Sequence, residues 1–196
     1  MKALVVYESM FGNTEQVAAA VVRGLRLVGL EVELVEVGSA PTVLPAGLGL
    51  LVVGAPTHAF SLSRRSTRED AVRQGAPPER TRQGLREWLG SVRFDPSRSP
   101  TFAAFDTRIG KVRWLPKAAG PTAVRLARKR GFGDVGRPVA FIVADLQGPL
   151  VDGELERALA LGQVLGSQRL DRSTASEVSG RRRQAPSSSP SSRLQE

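Results

Sequence analysis

The 196-residue chain is 41% hydrophobic, enough to fill the core of one ordinary domain, and this composition excludes disorder as the state of the whole chain. It has no cysteine, so disulfides, thiolate nucleophiles and sulfur-ligated metal sites are excluded together. The formal charge of +9 is clustered: residues 108–130 carry eight basic side chains and no acid, which predicts a positive face able to attract an anionic cofactor, an acidic protein or nucleic acid.

Short apolar runs alternate with helical patterns along the chain. ALVVY (3–7) is a continuous, mostly aliphatic run of the kind shown by a strand buried on both faces. Residues 14–28 place Val17, Val21, Leu25 and Val28 on one helical stripe, ending at Gly29. EVELVEV (31–37) alternates acid and aliphatic and reads as an edge strand with one wet face. The connector PTVLPAGLG leads into LLVV (50–53), a third strand, and SLSRRSTREDAVRQGAPPER (61–80) reads as a long polar loop. A helix is expected over 81–91, with Trp88 in the core beside Leu85 and Leu89. TFAAF (101–105) and VAFIVA (139–144) are the fourth and fifth strands, and helices are expected over 118–131 and 153–166, stopped by Gly131 and Gly166. From Ser167 hydrophobic periodicity is lost, so 167–196 is expected to be a disordered Arg/Ser/Pro-rich tail on a domain of residues 1–166.

Strand and helix in alternation predict a doubly wound α/β fold: a five-stranded parallel sheet with helices on both faces. A wet second strand fits the order 2-1-3-4-5, whose switch point lies between strands 1 and 3, and ligands of such sheets bind there, beyond the carboxyl ends of the strands. The loops in play are then 8–13, 54–60 and 106–117. In the first, Gly12 allows close approach of the main chain, Ser9, Asn13 and Thr14 bring polar side chains, and a helix begins at Thr14 with unpaired N–H groups. Together these read as a phosphate cradle without lysine, although Asn or Thr before a helix also serves as an ordinary cap. No stretch reaches the roughly 20 apolar residues of a membrane span, and only five apolar residues separate Lys2 from Glu8, too few for a signal peptide. A soluble, cytoplasmic protein is expected.

The run VVYESMFGNTEQVAAAV (5–21) resembles the N-terminal signature of flavodoxins, in which an aromatic ends strand 1 and is followed by S/T-x-x-G-x-T and a helix; Tyr7, Ser9, Gly12, Thr14 and Ala18 fill those places. GAPTHAFSLSRRSTREDAV (54–72), FDTR (105–108) and GPLVDGELERA (148–158) extend the resemblance over roughly residues 1–166. It implies a flavodoxin-like fold, flavin mononucleotide (FMN) as cofactor, and a monomer. By the same resemblance Ser9, Met10, Phe11, Gly12, Asn13 and Thr14 would hold the phosphate. Pro56, Thr57, His58, Ala59 and Phe60 would border the isoalloxazine ring, and Phe105, Asp106, Thr107 and Arg108 would approach its polar edge. The chain departs from electron-transfer flavodoxins in lacking their Trp/Tyr sandwich and acidic third loop, and in being basic rather than strongly acidic.

No catalytic residue or metal site stands out. His58, the only histidine, has no carboxylate nearby in sequence to orient it as a base. The function implied is electron transfer through bound flavin, with a redox partner protein or a small-molecule acceptor and with Arg108 as a positive charge raising the potential. The alternative is an NAD(P)H-dependent quinone or flavin oxidoreductase, with the arginines of 61–80 receiving the nicotinamide cofactor's phosphates. Nucleic-acid binding has only net charge in its favour, since stacking aromatics are scarce.

Overall fold

The apolar runs become strands of a single parallel sheet: β1 Lys2–Tyr7, β2 Glu31–Glu36, β3 Leu48–Pro56, β4 Thr101–Ile109 and β5 Val139–Val143. Their spatial order is β2-β1-β3-β4-β5, so the switch point lies between β1 and β3 as expected. The computed structural model describes residues 1–110 and 118–183. Its helices are α1 Asn13–Leu27, α2 Arg65–Arg73, α3 Leu85–Ser91, α4 Ala119–Lys129 and α5 Glu154–Arg183.

Each central strand is apolar throughout because both of its faces are covered. Leu4, Val6, Leu51, Val53 and Phe102 pack with Leu85, Trp88 and Leu89 of α3 and with Ala119, Ala123 and Ala127 of α4. Their alternate neighbours Ala3, Val5, Leu50, Val52 and Phe105 pack with Val17, Val21 and Leu25 of α1 and Ala158 of α5. Trp88 is a core residue, as expected, and its indole N–H donates to the Pro41 carbonyl at 3.0 Å. The edge position of β2 explains its alternation: Glu31 and Glu33 are exposed while Val32 is buried.

Two segments differ from their sequence reading. Residues 61–80, read as a loop, contain α2 and a short 3-10 turn at Pro78–Thr81. The polar composition hid the helix because α2 buries only Arg68 and Ala71, a pair with no apolar periodicity. The last helix does not stop at Gly166, and the segment expected to be a disordered tail from Ser167 is helical as far as Arg183; residues 184–196 lie outside the described part. Gly29 and Gly131 do end α1 and α4 with positive φ, but Gly166 sits inside α5, where a side chain would run into Val28. Past it, Leu170 packs on the α1 side of the core and Arg169 Nε donates to the Gly49 carbonyl at 2.9 Å. These tertiary contacts carry the helix beyond the point where local pattern fades.

Close approach, not flexibility, is what the glycines of α1 and α5 supply. The two helices meet backbone to backbone at Gly24 and Gly162: a methyl on Gly162 would overlap the Val21 carbonyl and lie 3.0 Å from the Gly24 Cα. Gly162→Ala is therefore expected to destabilise the protein by about 1–3 kcal/mol through overpacking, measured by urea unfolding; an unchanged midpoint would mean that the helices separate without cost.

Candidate functional site

At the carboxyl ends of β1, β3, β4 and β5 the connecting loops enclose a cleft in two adjoining parts. The narrower, of about 50 Å³, is lined by residues including Ser9, Met10, Phe11, Asn13 and Thr14 of the first loop and start of α1, Pro56, Thr57 and His58 of the second loop, and Thr107 and Arg108 of β4. The wider, of about 220 Å³, shares Thr57, His58 and Arg108 and adds Ala59, Phe60 and Ala118. Twelve of the sequence-derived site residues thus line one cleft. Ile109, within the third loop expected to take part, lines it too, and Ala118, Val143 and Leu146 were missed, since small or apolar residues carry no signal apart from the core.

The turn leaving β1 is fixed by one hydroxyl. Ser9 Oγ accepts from the Gly12 N–H at 3.1 Å and from the Glu15 N–H at 3.3 Å, while Gly12 adopts φ +88°, a left-handed conformation that glycine takes without strain. With both accepting positions of Ser9 used, its own O–H remains as a donor. Thr14 Oγ1 lies 2.8 Å from Thr107 Oγ1, and because one hydrogen suffices for that contact, the pair retains a second O–H. The Asn13 amide is committed to the Gln147 carbonyl at 3.0 Å. Among the described residues, the backbone N–H groups of Met10, Phe11, Asn13 and Thr14 donate to no protein acceptor. This collection of N–H and O–H donors at a helix start, where the dipole is positive, suits an anion.

The other loops divide between structure and availability. Asp106 is fully buried and committed: Arg108 grips both its oxygens at 2.6 and 2.7 Å, Gly120 N donates to it at 3.0 Å, and the Thr57 hydroxyl at 3.3 Å. Thr57 Oγ1 in turn accepts the Ala119 N–H at 3.0 Å, so Asp106 and Thr57 together cap α4. Phe105 does not line the cleft, contrary to its sequence reading. It lies in the core against Gly54 and edge-on to Phe141 at 5.8 Å. His58 is different: its Nε2 is buried without a partner, and burial followed by the nearby Arg68 charge lowers its pKa, so the ring is neutral at pH 7. The chain reverses immediately after it in a two-residue turn closed by His58 N to Ser61 O at 2.9 Å and Ser61 N to His58 O at 3.0 Å. Ala59 and Phe60 at its tip have φ of 44° and 62°, a left-handed pair that neither side chain favours. Trp114 and the rest of loop 111–117 lie outside the described residues.

Behind the first loop stand buried Glu8 and Arg68 and their polar partners, which local sequence did not reveal because they are far apart along the chain. Glu8, which precedes Ser9, is fully buried and accepts the Leu85 N–H at 2.7 Å. Arg68 of α2 reaches Ser63 Oγ at 3.0 Å and forks onto Glu87 at 3.2 Å. Met10 packs against Ala71 and Ala76, so the 61–80 segment braces the cradle from behind. A larger hollow of about 540 Å³ opens at the opposite end of the sheet, between residues 43–48 and 93–100. Among the described residues it offers no buried side-chain atom lacking a partner, so the carboxyl-end cleft is the candidate site.

No protein-family model matches the chain, and neither does any curated protein. Solved structures match it in shape. A flavodoxin from the domain Archaea superposes with a TM-score of 0.57 at 18% identity, covering 86% of this chain and 99% of that one. Flavodoxin 1 from Bacillus cereus gives 0.56 at 17% identity, over 83% of this chain and 95% of that one. The flavodiiron protein from Giardia intestinalis gives 0.58 at 21% identity over 87% of this chain, which spans only 36% of that longer protein. At such identities the likeness establishes the fold alone: this chain has the flavodoxin-like fold. Among the described residues no helix is long and apolar enough to cross a membrane.

Burial raises the pKa of Glu8 above its ordinary 4.5, against the lowering effects of Ser63, Leu85 N–H and Arg68. A raised carboxyl contributes its full stability below the unfolded value and loses it as pH rises toward the folded value, at about 1.4 kcal/mol per pH unit. Glu8→Gln, which keeps an acceptor for Leu85 N–H, is expected to flatten that decline and to gain on the wild type as pH rises above the ordinary carboxyl value of 4.5 in urea unfolding. Parallel pH profiles for the two proteins would refute a neutral Glu8.

Proposed function

We propose that this domain binds FMN and carries electrons, with the phosphate held by the turn from Ser9 to Thr14. The observation that carries this reading is the set of unpaired donors there, four backbone N–H groups beside the spare O–H of Ser9, at the switch point of the sheet. Those donors fit a phosphate dianion, and they require no lysine. When bound, FMN supplies the electron chemistry, and the protein supplies binding, orientation and electrostatics.

The remaining cleft residues suit a flat, largely apolar ring with a polar edge. His58 offers a neutral, buried Nε2 in need of a partner, which supports its use as a hydrogen-bonding group rather than a base. Phe60, half exposed at the tip of the turn, is the aromatic placed to cover the ring. Tyr7 is bonded to Glu15 at 3.3 Å and Trp88 is buried, so neither supplies the second aromatic of a sandwich. Arg108 lines the cleft but is paired with Asp106, so it acts as half of a nearly neutral pair and its expected effect on potential is small.

Protein purified without added cofactor is expected to be yellow and to release FMN on denaturation. A colourless protein that also fails to quench the fluorescence of added FMN would overturn the reading. Ser9→Ala removes a donor and loosens the turn, so FMN should bind about tenfold more weakly or worse, read by fluorescence titration. Phe60→Gly relieves a left-handed side chain worth about 1–2 kcal/mol and is expected to raise the unfolding midpoint while weakening FMN binding. A variant that is stabilised and still binds FMN fully would remove Phe60 from the site.

A further inference from the structure

Two arginines reach the turn at the mouth of the cleft through Ser61 and Thr122, and a third, Arg64, follows the turn by three residues along the chain. Arg86 Nη2 donates to Ser61 Oγ at 2.8 Å, Ser61 Oγ lies 3.2 Å from Thr122 Oγ1, and Arg125 Nη2 reaches that same Thr122 oxygen at 3.5 Å. This chain of contacts ties α3 and α4 to the turn that carries Ala59 and Phe60. Arg64, two residues beyond Leu62 at the start of α2, adds a third guanidinium: burial first, then the Arg64 and Arg125 charges, lower the pKa of Arg86. Arg64 and Arg125 are exposed and Arg86 is half-buried. Among the described residues none of the three pairs with a carboxylate, whereas Arg65, Arg68, Arg73, Arg80, Arg108, Arg157 and Arg172 each do. The nearest acids are already engaged, Glu87 by Arg68 and Glu8 in the interior.

We infer that this surface, Arg64, Arg86 and Arg125 grouped around the exposed Phe60, is the docking face for an acidic partner protein. The choice of a redox protein as that partner rests on the flavin reading above. An acidic protein fits better than a phosphate-bearing ligand, because the central guanidinium of the three, that of Arg86, is not a free fork. Arg86 spends its N–H groups on the Leu62 and Ser63 carbonyls at 2.8 and 3.1 Å and on Ser61, so it contributes fixed positive charge rather than bidentate grip. Separated fixed charges around one exposed aromatic match a carboxylate-studded protein surface with an apolar centre. A single-stranded nucleic acid would need more than one stacking ring, and among the described residues Phe60 is the exposed aromatic of this patch, with the aliphatic Leu146 sharing the cleft beside it.

The test is an NMR titration of the isotopically labelled full chain with an acidic two-iron ferredoxin as the probe, and with basic cytochrome c as its charge-opposite control. Amides of residues 58–65, 86 and 122–125 are expected to shift with ferredoxin, and the affinity should fall steeply as salt is raised. Arg64→Glu combined with Arg125→Glu should weaken that binding about tenfold or more, with the amide spectrum otherwise folded and the FMN content unchanged. Arg64→Gln should give an intermediate loss. Shifts confined to the basic end of α4 or to α5, binding indifferent to salt and to charge reversal, or equal binding of cytochrome c would overturn the proposal. So would perturbation of the same amides by inorganic pyrophosphate or a short oligonucleotide at concentrations lower than ferredoxin requires. FMN content is measured separately on the same samples, so a chain that lacks flavin yet takes ferredoxin on these amides refutes the flavin reading and supports the docking face.

Discussion

When β1 ends at Tyr7, in the middle of the sheet, the chain must turn out of a fully paired environment and start α1 within a few residues. The backbone donors exposed by that manoeuvre have to be met by something. One side chain meets two of them: the Ser9 hydroxyl takes the Gly12 and Glu15 N–H groups, and Gly12 alone can adopt the left-handed step this requires. The donors left over are a consequence of the topology as much as of the residues. The site exists because a parallel sheet with its switch point at β1 brings unpaired helix-start donors together with the ends of its neighbouring strands.

The rest of the molecule holds that turn in place. From behind, Met10 rests on Ala71 and Ala76, Glu8 anchors the start of α3, and Arg80 reaches Glu15 at 2.8 Å. From above, the loop following β5 clasps Asn13 through the Gln147 carbonyl, while the Gln147 side chain donates to the Gln74 carbonyl at 2.9 Å. At the far wall, Asp106 and Thr57 start α4 and hold Arg108 against the cleft. The 61–80 segment is accordingly part of the site's foundation. Its arginines divide into one that is buried and structural, Arg68, and others such as Arg64 that are left to face solvent.

Legibility followed the range of the interactions. Strands buried on both faces announced themselves as apolar runs, and β2 as an alternating one, because burial is written into each residue in turn. The turn into α1 was legible for the same reason: Ser9, Gly12 and Thr14 act within one turn of chain. What could not be read were features made by residues far apart. Arg68 on Glu87, Glu8 under Leu85 N–H and the backbone crossing of Gly24 with Gly162 need the fold before they have any meaning. Gly166 looked like a helix stop because glycine serves both to end helices and to let them touch, and only the presence of Val28 beside it decides between those uses. Phe105 was misplaced by its nearness in sequence to Arg108: it lies inside β4, where both faces are covered, and only the strand's last residues, Thr107 to Ile109, reach the cleft.

Charge in the cleft is internally balanced by the Arg108–Asp106 pair, and Arg64, Arg86 and Arg125, which pair with no carboxylate among the described residues, lie outside it. In the proposed reading, neutral donors and the helix start hold the phosphate at the turn from Ser9 to Thr14. The most direct test compares FMN with riboflavin, which shares the ring and lacks the phosphate, in fluorescence titrations of the same apoprotein. The account predicts FMN binding tighter by about two orders of magnitude or more, as expected when several charge-assisted hydrogen bonds are lost together. Equal affinity for the two would contradict it, and would leave the turn as the capped start of a helix and nothing more.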